Sequence, residues 1–145
     1  MTAACQIDFY VLQDRTASTE SLACQLALMA WEHGNRVMVL AENEKQAEQV
    51  DTLMWENPKG RFLPHKQKRQ AGFAPVIIVT LAELADDAGE VIINLTQDAV
   101  PRPQRFRRLL ELVPADDAQR KASREKFRVY RTQGLKPESH PFKHN

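Results

Sequence analysis

Short apolar runs rich in β-branched and aromatic residues alternate along this chain with longer stretches whose apolar residues recur every three or four positions. "IDFYVL", Ile7 to Leu12, is a run of the first kind, and the following "QDRTAST" supplies turn and capping residues. Ser18 or Thr19 can cap a helix reaching about His33, because Leu22, Leu26, Met29 and Ala30 recur at helical spacing and Gly34 can end it. "RVMVLA" predicts a second strand. Asn43 then caps "EKQAEQVDTLMW", whose apolar face is Ala47, Val50, Leu53 and Met54, with Pro58-Lys59-Gly60 breaking the helix. After the basic loop "HKQKRQAGFA", the runs "PVIIVT" and "VIINLT" lack alternation and predict strands buried on both faces. "RPQRFRRLLELVP" reads as a short helix stopped by Pro114, and Asp116 or Asp117 begins a final helix that runs to about Gln133 before Gly134.

Strands separated by helices of this length favour an α/β fold with a parallel sheet. The last residues, "LKPESHPFKHN", have two prolines and little periodicity and are expected to be loosely held. The expected organisation is one α/β domain over 1–135 and a flexible C-terminal tail over 136–145.

Composition adds little until the charge is divided along the chain. Across 145 residues the formal net charge is +1, yet residues 1–100 carry 8 Lys/Arg against 14 Asp/Glu while residues 101–145 carry 12 against 5. The final third is a cationic module on an acidic body, a polarity that signals an anionic partner. No apolar run approaches the ~20 residues of a membrane span. The beginning, "MTAACQIDFYVLQD", has no basic leader and carries Asp8 in its apolar stretch, so a cytoplasmic protein is expected. Cys5 and Cys24 lack metal-site spacing and are expected to be buried, reduced thiols.

Several chemistries lack their residues. The turn after the first strand has no glycine, and neither GxxxxGK[ST] nor GxGxxG occurs, so no phosphate-binding loop is expected. His33, His65, His140 and His144 are far apart and form no HxxxH pattern, so no metal is expected. A loop histidine such as His65 suits a local hydrogen bond, or a contact that orients a partner. The Asp116-Asp117 pair is better explained by helix capping than by acid/base work. Asn94-Leu95-Thr96 fits the glycosylation acceptor pattern but has no secretory signal beside it. No nucleophile, base and orienting group stand out, so neither a catalytic residue nor a cofactor is expected.

Two surface features remain. At 100° per residue Arg120, Arg124, Phe127, Arg128 and Arg131 fall within a sector about 100° wide, while Ala118, Ala122 and Val129 gather opposite. That reading turns the alanines and valine to the sheet and the arginines outward, with Phe127 among them and Tyr130 at the edge. Either a short acidic peptide with a hydrophobic end or a single-stranded nucleic acid would be attracted, and the acidic body favours the shorter ligand. The second feature, "LMWENPKGRFLPHK", groups Trp55, Phe62, Leu63 and Pro64 in a loop or short edge strand. It either caps the core or forms a docking patch rimmed by Lys59, Arg61, Lys66, Lys68 and Arg69.

The ordered set "FYVL", "GNRVMVLAENEKQAEQVDTLMW", "FLPH", "APVIIVT" and "LVPADDAQRKASREKFRVYRTQG" resembles the chi-subunit family of the bacterial DNA polymerase III holoenzyme over nearly the whole chain. The resemblance implies a three-layer α/β/α fold with a mostly parallel sheet, nucleotide-binding-like but without a phosphate loop. It further implies a non-catalytic accessory subunit of the clamp-loader complex, with no cofactor, no direct DNA binding and no membrane. Two partners are implied: the psi subunit, at Trp55, Phe62, Pro64 and His65, and the acidic C-terminal tail of the single-stranded DNA-binding protein, which ends in phenylalanine. Arg120, Arg124, Phe127, Arg128, Tyr130 and Arg131 are the positions implied for that tail. Arginine at 120 and 128, where the family often has lysine, keeps the charge and adds bidentate geometry.

Overall fold

A computed structural model describes residues 5–56, 62–84 and 89–142. The expected breaker Pro58-Lys59-Gly60, the rim residue Arg61 and His144 lie outside these residues. Among the described residues seven strands make one sheet: β1 (Gln6–Leu12), β2 (Val37–Ala41), β3 (His65–Gln67), β4 (Val76–Thr80), β5 (Gly89–Asn94), β6 (Phe106–Val113) and β7 (Glu138–Phe142). Their order across the sheet is β3-β4-β2-β5-β6-β1-β7, and every pairing is parallel.

Helices cover both faces, which makes the three-layer α/β fold expected from the resemblance. α1 (Thr19–Glu32) and α2 (Glu44–Glu56) pack Leu22, Leu26, Val50 and Met54 into one core with Leu12, Val39, Ile78 and Ile93. The opposite core gathers Ile7, Phe9, Leu40, Ile92 and Leu109 with Leu84 of α3 (Leu81–Leu84) and Tyr130 of α4 (Asp117–Thr132). The caps are those the sequence offers. Ser18 Oγ accepts from Ser21 N–H at 3.0 Å, and Asn43 Oδ1 accepts from Gln46 N–H at 2.9 Å. The Gln46 side chain reaches back to accept from Glu42 N–H at 2.7 Å, just ahead of the cap.

Two expectations need correction. The run read as a helix over "RPQRFRRLLELVP" is a short 3-10 turn, Pro103–Arg105, followed by β6. Phe106, Leu109, Leu110 and Val113 do recur at helical spacing. β6, however, sends Leu110 and Leu112 into one core and Phe106, Leu109 and Val113 into the other, so both its faces are covered and its apolar residues need not alternate. The tail is not loose either: Glu138–Phe142 is β7, in parallel register with Asp8–Leu12. Prolines are tolerated on an edge strand, which also explains the weak periodicity. The Tyr10 ring packs against His140 at 5.6 Å and Phe142 at 6.2 Å, so the domain extends through residue 142 instead of ending at 135.

Candidate functional site

α4 begins where the Asp116 side chain accepts from Ala118 N–H at 2.9 Å. It ends at Gly134, whose φ of +84° lets Leu135 N–H close on Tyr130 C=O at 3.1 Å. Its seating on the sheet is set by a buried carboxylate on β6. Glu111 accepts from Lys126 Nζ at 2.9 Å, from the Tyr130 hydroxyl at 2.6 Å and from Asn94 Nδ2 at 2.8 Å. Lys126 Nζ also donates to Thr96 C=O at 2.7 Å, and the Tyr130 oxygen accepts from Val100 N–H at 2.8 Å. Burial pushes the Glu111 carboxyl above its ordinary range, against the pull of Lys126 and the hydrogen bonds from Tyr130 and Asn94. Burial and the Glu111 charge likewise push the Tyr130 phenol upward. Asn94 and Thr96, the apparent glycosylation acceptor, are buried and bonded to each other at 2.7 Å.

This network corrects the helical wheel. The buried positions are Ser123, Lys126 and Tyr130, whereas Ala118 is exposed and Ala122 and Val129 are half-buried. The helix is therefore turned about a quarter of the way round from the orientation its alanines suggest. Tyr130, expected at the surface edge, is fully buried, with its hydroxyl already engaged on both sides. Phe127 is half-buried, its ring 5.2 Å from that of Phe9. Burying two aromatic rings outweighs burying two alanines and a valine, and Glu111 needs a cation beneath the helix.

The arginines still face outward. Arg124 and Arg131 are exposed and make no ion pair among the described residues. Arg128 is hydrogen-bonded to Glu125, which holds that carboxyl below its usual range. Arg120 leans over the ends of β1 and β6, with Nε 3.3 Å from Pro114 C=O, Nη2 3.5 Å from Leu12 C=O and Nη1 3.9 Å from Asp117. Lys126 faces inward, and the stripe from Arg120 to Arg131 bordered by Phe127 is cationic.

The second patch lies at the β3 edge. Trp55 and Phe62 are exposed, with ring centroids 6.0 Å apart. His65, by contrast, is turned inward. Its side chain is covered, Nδ1 lies 2.7 Å from Leu63 C=O and Nε2 lies 2.8 Å from Asp51 Oδ1, and its ring supports Trp55 at 4.8 Å. Pro64 is half-buried and Leu63 belongs to the core. Three cations expected at the rim are occupied: Lys66 Nζ donates to Gln70 C=O at 2.7 Å, Arg69 pairs with Glu48 at 3.1 Å, and Lys68 Nζ donates to Glu83 C=O at 2.9 Å.

The fold also assembles a group no sequence pattern announced, because its members are some 130 positions apart. Asp8 Oδ1 lies 2.9 Å from His140 Nε2, which is 3.8 Å from Glu138. Asp8 Oδ2 accepts from Arg108 Nε at 3.1 Å and from Gln6 Nε2 at 3.2 Å. With a guanidinium and an imidazole around one buried carboxylate, the cluster ties β7 to β1. Among the described residues no helix is long and apolar enough to cross a membrane.

By architecture the chain is a parallel α/β module of the kind found in DEAD-box proteins. It superposes on Saccharomyces cerevisiae Dbp5 bound to RNA and ADP BeF3 with a TM-score of 0.66 at 11% identity, covering 97% of this chain and 42% of that one. For the C-terminal domain of Dbp5 the TM-score is 0.57 at 10% identity, covering 97% and 91%. At such identity the likeness is one of fold alone. Sequence comparison is more specific: the model of the family described as DNA polymerase III chi subunit, HolC, matches residues 4–138. The chain is 35% identical over 136 residues to DNA polymerase III subunit chi of Pseudomonas aeruginosa, covering 93% of this chain and 95% of the relative. It is 31% identical to that of Haemophilus influenzae over 129 residues, 87% and 90%, and 29% identical to that of Escherichia coli over 134 residues, 88% and 91%. The chain belongs to the DNA polymerase III chi subunit family.

Proposed function

We propose that this chain is a non-catalytic adaptor that links the clamp loader, through the psi subunit, to the acidic C-terminal tail of single-stranded DNA-binding protein. The observation that carries the reading is the outward guanidinium row of α4 beside Phe127, in which Arg124 and Arg131 have no ion pair among the described residues. Such a row suits aspartates and a terminal carboxylate, and the half-buried Phe127 offers an apolar border for a terminal phenylalanine ring. Arg120 and Arg128 extend the row at its two sides, and Tyr130 acts from beneath by fixing the helix.

The Trp55 and Phe62 pair, propped by His65 and flanked by Pro64, is the surface for psi. α2 and α4 lie on opposite faces, and β3 is four strand spacings from β6, about 19 Å. That separation lets both partners bind at once.

Titration calorimetry with a short acidic peptide ending in Phe, set against an oligonucleotide of equal charge, tests the reading. The peptide is expected to bind and the oligonucleotide to bind far more weakly. Tight oligonucleotide binding without a peptide response overturns it in favour of a single-stranded nucleic-acid module.

A further inference from the structure

The chain uses the same short pattern twice. Phe62-Leu63-Pro64 leads into His65 of β3, and Phe73-Ala74-Pro75 leads into Val76 of β4. His65 and Val76 are register partners, so the two segments enter the sheet side by side. Their burial runs in parallel: Leu63 and Ala74 are buried, Pro64 and Pro75 are half-buried, and Phe62 and Phe73 are 66% and 75% exposed. Gly72, with φ +104°, makes the turn that delivers Phe73 to this rim.

Phe73 is the most exposed large apolar side chain among the described residues, and Trp55, at 65%, stands against Phe62 at the other end of the strip. Three aromatic side chains along one rim form a patch of the kind that marks a contact surface. Beyond Phe73 the rim continues to β2, where Val37 N–H donates to Pro75 C=O at 2.9 Å. There the Arg36 guanidinium carbon sits over the Phe73 ring, 5.2 Å from its centroid. Arg36 makes no ion pair among the described residues; Glu90 accepts from its backbone N–H and pairs with Arg107. Lys66, Lys68 and Arg69 are engaged by their own loop, α3 and α2, which leaves Arg36 as the available charge among the described residues of the rim.

We infer that the docking surface begun by Trp55 and Phe62 continues across the sheet rim through Phe73 to Arg36. It takes a protein segment that lays large apolar side chains over the aromatics and sets a carboxylate against the guanidinium. This rests on the reading of the Trp55 and Phe62 patch as the psi face, and psi is the occupant it commits to. A flat guanidinium already stacked on a ring keeps its edge free for a carboxylate, so Arg36 fixes both the ring and the direction of the incoming segment.

The test is calorimetric titration of the full chain with the psi subunit, using Phe62→Ala, Phe73→Ala and Arg36→Gln. All three positions are at the surface, and unchanged thermal midpoints verify the fold. Phe62→Ala and Phe73→Ala are each expected to weaken binding at least about tenfold, as truncated aromatic anchors do. Arg36→Gln is expected to weaken it several-fold and to flatten its salt dependence. If Phe62→Ala loses psi while Phe73→Ala and Arg36→Gln bind like the parent, the extension is wrong and the psi reading stands. If neither phenylalanine matters, the psi reading itself fails and takes the extension with it.

Discussion

Replacing Lys126 with methionine removes the one cation from the buried cluster beneath α4. Methionine has nearly the same length and shape, so the change is chiefly electrostatic. Glu111 keeps the hydrogen bonds from Tyr130 and Asn94 but loses the charge 2.9 Å away, and Thr96 C=O loses its 2.7 Å donor. Both members of the pair are nearly inaccessible, with side chains 6% and 1% exposed, so solvent screening does not soften the loss. Stranding one charge of a buried pair costs about 3–5 kcal/mol, a large part of the about 5–15 kcal/mol that holds a domain folded. In urea this moves the unfolding midpoint down by about 1.5–2.5 M for a slope of about 2 kcal/mol/M, the middle of the usual range.

The sign with pH follows from Glu111. Burial holds the folded carboxyl above the unfolded value and Lys126 pulls it back, so removing Lys126 raises it further and the penalty grows as pH rises from the ordinary carboxylate range up to that raised value. Lys126→Met is therefore expected to lose more stability at pH 7.5 than at pH 5.5. Adding Glu111→Gln should recover about 1–2 kcal/mol at pH 7.5, because no charge is then stranded. A single-variant midpoint within about 0.3 M of the parent, or a double variant that is no better than the single, refutes the assignment of Lys126 as a buried partner.

Other outcomes follow from the same structure. Cys5 and Cys24 are pushed up to about 11 and about 12, mainly by burial, so neither thiol should react with a disulfide reagent at pH 8 until urea unfolds the chain. The folded state retains those protons where the unfolded chain releases them, so stability should fall as pH rises above about 9. Asp8→Ala removes the acceptor for Arg108 and His140, and the amides of β7 other than Pro141, which has none, should exchange at least about tenfold faster while those of β2 and β5 stay protected. Binding of an acidic peptide to α4 should decline with added salt, since the participating arginines are exposed.

Most of the layered fold is legible in the sequence because its caps and periods agree: Ser18 and Asn43 cap the helices they precede, and the apolar runs at 76–80 and 91–94 are strands covered on both faces. β6 misleads for the same physical reason that makes it central. A strand buried on both faces has no alternation to display, and the spacing of Phe106, Leu109, Leu110 and Val113 imitates a helix. That misreading hid Glu111, and without Glu111 nothing marks Lys126 as an inward cation. β7 was illegible because its partner, β1, is some 130 residues earlier in the chain. The surface arginines and the exposed Trp55 and Phe62 were legible, since charge and aromatic content at the surface do not depend on which helix face is buried.

Whether the guanidinium row of α4 clasps an acidic chain end whose final ring rests by Phe127 is decided by titrating the parent and Arg124→Ala with two peptides, one ending in aspartates and phenylalanine and one lacking only the phenylalanine. Loss of the ring and loss of the guanidinium are each expected to weaken binding about tenfold or more, with Arg124→Ala worth about 1.5–3 kcal/mol. Equal binding by the parent and Arg124→Ala, or by both peptides, contradicts it.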